Sequence, residues 1–232
     1  MLQGCSGNYR GSKNRPISHA MLALALLVTL PLAADPVQPA PPPPVAGAAV
    51  APAALGAGSI GFWGTLGAPD VAIGYRQGFS LLEFEAQARF HYLELSAVAE
   101  AGVRFLAWKA DRAMLAPTFS LGLKVNSGSR AFDPYNFAYV ALRPRLGVVL
   151  SLKVSEVAQV VATAEVPWAI ALNVTGYQIT PTVGGGAEFQ LNPKLSLVAV
   201  GLIGVDVIKE PLGTPVARLA WGVRLGVGYR VF

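Results

Sequence analysis

The last stretch of the chain, Val216 to Phe232, alternates without a break. Ala217, Leu219, Trp221, Val223, Leu225, Val227, Tyr229 and Val231 are apolar; between them stand Arg218, Ala220, Gly222, Arg224, Gly226, Gly228 and Arg230. A period of two puts each set on its own face of a β-strand. One face is continuously apolar, and the other carries three arginines among glycines. The pattern recurs upstream. Leu82, Phe84, Ala86, Ala88 and Phe90 alternate with Glu83, Glu85, Gln87 and Arg89, and Val140, Leu142, Leu146, Val148 and Leu150 oppose Arg143, Arg145, Ser151 and Lys153.

From Ser59 onward this periodicity predicts ten strands: Ser59–Leu66, Val71–Arg76, Ser80–Phe90, a fourth whose apolar positions run from Leu93 to Phe105, Ala113–Val125, Ala138–Lys153, Val157–Trp168, Tyr177–Leu191, Lys194–Ile208 and Val216–Phe232. Turn residues such as Gly67-Ala68-Pro69-Asp70, Gln77-Gly78-Phe79 and Asn192-Pro193 separate them. The parity of the apolar residues flips after Phe90. A two-residue loop at His91-Tyr92, pairing Phe90 with Leu93, restores it; one long bent strand is the alternative. Gly184-Gly185-Gly186 lies within a strand pattern, where glycines mark a bend, and lacks the Lys-Ser/Thr of a phosphate loop.

Strands this long are uncommon in soluble sandwiches, whereas a tilted membrane crossing needs ~9–11 residues with lipid on one face and a polar lumen on the other. The expected fold is therefore all-β: a closed antiparallel transmembrane β-barrel of about ten strands, with eight as the alternative. An even count puts both ends of the wall on one side. Counted from that side, the near turns (Gln77–Phe79, Lys109–Arg112, Val154–Glu156, Asn192–Pro193) are short, and the far loops include the longer Asn126–Phe137, Ala169–Gly176 and Lys209–Pro215. Aromatic residues fall into two belts, Phe90, Tyr139, Trp168 and Tyr177 at the far ends and Tyr75, Phe189 and Tyr229 at the near ends.

Composition agrees with a barrel. Hydrophobic residues make up 53% of the 232 and charged residues 13%, against a usual ~25% charged, yet no run reaches the ~18 apolar residues of a spanning helix. The formal charge of +5 includes Arg10, Lys13 and Arg15 in a basic start that precedes an apolar run, Met21 to Leu32. That combination reads as a signal peptide over residues 1–34. A Pro/Ala-rich linker over 35–58, with Pro41 to Pro44 in its middle, reads as an extended spacer that buries no core. The barrel then occupies 59–232. The remaining basic residues are scattered along strands, which excludes a nucleic-acid face. The single cysteine, Cys5, permits no internal disulfide.

The signal-like Met21–Ala34, the alternating strands from Ser59 and the terminal Phe232 together resemble the small single-chain outer-membrane β-barrel proteins of Gram-negative bacteria. The resemblance covers about three quarters of the chain and implies the cell outer membrane as location, outer-membrane lipid and lipopolysaccharide as surroundings, and a monomer. In such proteins the terminal aromatic is read by the barrel assembly machinery, a role the resemblance gives to Phe232. Phe232 departs from the usual register, because it shares the parity of Arg230 rather than of Tyr229.

The richest chemistry lies on the lumen face: Arg76, Glu83, Glu85, Arg89, Glu94, Glu100, Arg104, Lys124, Arg143, Arg145, Glu165, Glu188, Asp206, Arg218 and Arg224. Buried charges must pair or meet water, and narrow barrels are filled by their own side chains. The reading is a paired ionic core with a structural role, or a narrow porin-like path on which Arg143, Arg145 and Arg224 bias anions. The omptin proteases and the lipid A deacylases and acyltransferases are outer-membrane barrel enzymes, and a resemblance to them would need a histidine beside serine or carboxylates. His91 with Ser96, Glu94 and Glu100 is the one such set, which makes a lipid-modifying enzyme the second reading. His91 is expected at an exposed loop tip, so no catalytic residue is assigned; nor is a metal site or a cofactor. A third class, a soluble secreted barrel that holds apolar ligands, requires the two faces to be reversed.

Overall fold

The computed structural model describes residues 50–231. The signal peptide expected over 1–34, residues 35–49 of the linker, and Phe232 lie outside the described residues. Twelve strand segments make one antiparallel sheet: β1 (Ile60–Ala68), β2 (Asp70–Gly78), β3 (Leu82–His91), β4 (Ser96–Phe105), β5 (Trp108–Lys109), β6 (Ala113–Ser127), β7 (Ala138–Lys153), β8 (Ala158–Ala171), β9 (Tyr177–Ile179), β10 (Thr182–Gln190), β11 (Leu195–Lys209) and β12 (Val216–Val231). The sheet closes where β12 pairs with β1, from Ile60 opposite Val231 to Ala68 opposite Val223. Closure removes both sheet edges.

The twelve segments are ten staves, two of them broken. β4 and β5 both pair with β6 and are separated by Leu106 and Ala107. β9 and β10 both lie between β8 and β11 and are separated by Thr180-Pro181. Pro181 has no N–H to give the ladder. The pairing is carried past it by Thr180 N–H donating to the Pro167 carbonyl and Val205 N–H to the Pro181 carbonyl, each at 3.1 Å.

Periodicity placed these strands closely, and β7 matches its expected span residue for residue. One turn differs. His91 remains in β3 opposite Ser96, and Phe90 pairs with Ala97 rather than Leu93. The turn is Tyr92–Leu95, with Leu95 at φ 49°. Four residues keep Phe90 and Ala97 on one face as well as two would, so parity alone could not choose between the loop lengths.

The two faces divide as the alternation requires. Leu66 (70% exposed), Ile73, Leu123, Val223 and Leu225 stand on the outer wall, while Arg76 and Glu83 (each 1%) are enclosed. An apolar exterior around a charged interior is the reverse of a soluble ligand-binding barrel. Tyr139, placed by sequence in an outer aromatic belt, points inward instead. It shares the parity of Ala141, Arg143 and Arg145, donates its hydroxyl to Gln178 Oε1 at 2.7 Å, and packs on Phe137 at 4.7 Å between ring centres.

The rim that carries the start of β1 and the end of β12 is called lower here. The final described part of the Pro/Ala-rich stretch does not remain outside. Ala51, Ala53 and Leu55 are buried in the lower lumen, where the two alanines pack on Met114, Ala116, Val149 and Val161. Alanine and proline are small enough for a narrow tube, and their backbone polar groups find partners on the wall. A second apolar cluster, Phe137, Tyr139, Ala141, Ala169 and Ile208, fills the upper side under the β6–β7 loop.

Trp63 sits inside, opposite Gly74 across the β1–β2 pair. A Cβ at Gly74 would fall within its indole ring. Gly74→Val should therefore displace Trp63 and cost about 1–3 kcal/mol, seen as a lower urea midpoint for the refolded barrel; an unchanged midpoint would show that the indole moves freely.

Candidate functional site

The lumen is the candidate site. The described interior gathers nine basic side chains (Arg76, Arg89, Arg104, Lys124, Arg143, Arg145, Arg218, Arg224, Arg230) and nine acidic ones (Asp70, Glu83, Glu85, Glu94, Glu100, Asp133, Glu165, Glu188, Asp206). They lie in three layers along the axis, built by strands that contribute alternate residues and, in the upper layer, by the turn and loop that carry Glu94 and Asp133.

The lower layer grips the inserted segment. Arg76 is paired with Glu83 and donates to the carbonyls of Val50 and Pro52 at 3.0 and 2.8 Å. Glu83 accepts the Leu55 N–H at 2.6 Å, Ser151 Oγ accepts the Ala53 N–H at 3.0 Å, and Glu188 accepts the N–H groups of Val50 and Ala51 at 2.9 and 2.6 Å. Ser196 donates to the other oxygen of Glu188, and Arg230 donates to Ser59 Oγ at 3.0 Å. A strandless backbone buried in a tube needs such partners for every polar group.

The middle layer turns on Arg145. It lies 2.9 Å from Glu85, 2.8 Å from Glu100 and 2.9 Å from Glu165, and donates to Ser120 Oγ at 3.0 Å. Arg104 also binds Glu85, at 2.6 Å, and Arg143 binds Glu100. Asp70 accepts both forks of Arg224, at 2.5 and 2.9 Å, with Arg89 farther off at 3.6 Å. Pairs this enclosed are charge-assisted and mutually dependent, since removal of one partner leaves a buried charge exposed to no solvent.

The upper layer joins wall to loops. Glu94, in the β3–β4 turn, receives Lys124 at 2.8 Å and Arg218 at 2.7 Å. Arg218 also binds Asp206 at 2.7 Å and reaches Asp133 in the β6–β7 loop. Asn136 of that loop donates to the Glu94 carbonyl at 3.0 Å, which ties the loop down across the mouth. Burial pushes the Glu94 carboxyl toward its neutral form, but Lys124 above all, with His91 and Arg218, holds its pKa well below the usual carboxylate range.

His91 is not at an exposed tip. It is half-buried, faces the lumen, and its Nδ1 accepts the Glu94 N–H at 3.1 Å. Ser96 donates to Glu94 at 3.2 Å, so its hydroxyl is directed at the carboxylate and not at the imidazole. Among the described residues, no three or more of His, Cys, Asp and Glu converge on a point that could hold a metal ion. Between the upper and middle layers lies a chamber of about 320 Å³, lined among others by Arg89, Arg143, Arg224, Asp70, Glu165 and His91. A smaller void of about 120 Å³ sits below it beside Trp63.

Comparison with known proteins gives remote likeness only. No family model matches, and no curated protein matches. Among solved structures, a bacterial polysaccharide outer membrane secretin overlaps 72% of this chain and 58% of its own at 12% identity and TM-score 0.42. A KdgM porin in complex with disordered oligogalacturonate overlaps 75% of this chain and 99% of its own at 11% identity and TM-score 0.39. A de novo designed transmembrane β-barrel overlaps 77% and 99% at 16% identity and TM-score 0.34.

Sequence reading missed several of these groups. Asp70 and Arg230 share the parity of the lumen face and were legible on that ground. Asp133 and Asn136 lie in an aperiodic loop, and the inserted residues 50–56 lie in a stretch with no strand pattern, so neither carries a periodic signal.

Glu94→Gln should lower stability by about 2–3 kcal/mol at neutral pH. A depressed native pKa contributes stability above the unfolded value of about 4.3 and loses it as pH falls toward the native value. The gap between wild type and variant should therefore narrow below about pH 4.3 in urea titrations; a gap independent of pH would exclude this carboxylate as its source.

Proposed function

We propose that this chain is an outer-membrane β-barrel with a structural, non-conducting lumen, closed at its lower end and open to a small chamber above. The observation that carries the reading is the inserted segment. Ala51, Ala53 and Leu55 occupy the lower lumen with their N–H groups on Glu188, Ser151 and Glu83, where a porin would hold water. Summed over its layers, the lumen carries equal numbers of basic and acidic side chains, as a filled barrel requires. The continuous apolar exterior supports a lipid environment, and the signal-like start supports export to it. Outer-membrane lipid and lipopolysaccharide are then the surroundings, the assembly machinery the partner in biogenesis, and the monomer the working form. The porin-like alternative becomes a property of the barrel without its inserted segment.

Planar-bilayer recording tests this. The full chain should be silent across salts, and deletion of residues 50–57 should produce discrete conductance steps; a wild-type protein that conducts steadily would overturn the closed reading. The lipid face is tested separately. Val223→Arg, at mid-height on β12, should destabilise the barrel in lipid vesicles by about 2–4 kcal/mol, whereas an arginine tolerated there would place that wall outside the hydrocarbon.

A further inference from the structure

The ionic layers do not balance one by one. The middle layer sets five guanidinium groups (Arg89, Arg104, Arg143, Arg145, Arg224) against four carboxylates (Asp70, Glu85, Glu100, Glu165). The upper layer offsets this with three acids (Glu94, Asp133, Asp206) against Lys124 and Arg218. The surplus positive charge is carried by Arg89. Its nearest carboxylate is 3.6 Å away, and both oxygens of that carboxylate, Asp70, already accept from Arg224 at 2.5 and 2.9 Å. Arg89 makes no hydrogen bond within the described residues, although its side chain is only 17% exposed. Arg143 commits Nη1 to Glu100, and its Nε and Nη2 make none within the described residues. Both side chains line the chamber of about 320 Å³.

We propose that this chamber binds one small oxyanion, a carboxylate or a phosphate, between Arg89 and Arg143. Planar guanidinium forks match the paired oxygens of such groups, and buried charge-assisted hydrogen bonds hold them more strongly than neutral ones. The volume lies at the small end of ligand pockets, which selects a single small ion over an oligomer. Asp70 and Glu165 face the same space and repel a ligand of high negative charge. With the lower lumen filled by residues 50–56, the ion enters and leaves by the upper mouth, so the chamber is a holding site and not part of a path. The site depends on the barrel interior alone and stands or falls separately from the lipid environment.

Calorimetric titration of the full chain in detergent micelles, with sodium acetate in one arm and sodium phosphate in the other at matched ionic strength, tests it. Saturable binding of either probe is expected, and its arm identifies the headgroup. Arg89→Gln should weaken that binding about tenfold or more. Arg130→Gln, which removes an exposed loop cation paired at 3.5 Å with Glu210, should leave it unchanged. Because Asp70 keeps both Arg224 hydrogen bonds, Arg89→Gln leaves no acid orphaned, and its circular dichroism should match wild type. If it misfolds, bromide soaked into crystals of the wild-type protein decides the matter, with an anomalous peak expected between Arg89 and Arg143. No saturable heat with either probe, equal affinity in Arg89→Gln, or bromide absent from that position would overturn the proposal.

Discussion

The structure depends on one constraint: charges enclosed by a narrow closed sheet can be neutralised only by one another. Ten staves leave a lumen too tight for bulk water to screen its ions, and the outer wall offers nothing but apolar side chains. Most lumen cations therefore meet an anion from another strand, and the barrel is held by pairs that bridge staves far apart in sequence. Arg145 on β7 collects carboxylates from β3, β4 and β8, and Arg218 on β12 joins the β3–β4 turn, the β6–β7 loop and β11. Each such node fixes the relative height of several strands at once, so the ionic core specifies register as well as contributing stability.

The same constraint explains why a segment of alanine and proline can live inside a charged tube. Its side chains ask little room, and its backbone amides act as one more set of donors for carboxylates that would otherwise be under-supplied. Glu188 and Glu83 accept main-chain N–H groups in the way an anion is held at a backbone nest. Arg76 completes the arrangement by donating to two carbonyls of the same segment. The lower lumen is thus sealed by polar complementarity to a backbone, with a small apolar cluster on Met114 and Val149 as filler. In the middle layer above that seal guanidinium groups outnumber carboxylates, and there Arg89, with no hydrogen bond among the described residues, lines an open chamber.

The sequence by itself determined which side chains look inward. A two-residue period cannot slip without turning every apolar residue to the wrong face, so β7, β12 and the acidic face of β3 were legible from alternation alone, and with them most of the lumen charges. The stave count followed from the turns between alternating runs. Alternation says nothing about height or partner, however. Only closure of the sheet decided that Arg145 meets three glutamates, that Tyr139 packs on Phe137 and donates to Gln178, and that the β3–β4 turn takes four residues so that Glu94 can reach Lys124. The inserted segment was invisible because its residues carry no period, and its place is set in part by a carboxylate more than a hundred positions away in the chain, as Ala51 and Glu188 show. Local pattern fixes the face of a strand; what fills the space those faces enclose is settled by contacts that exist only once the barrel is shut.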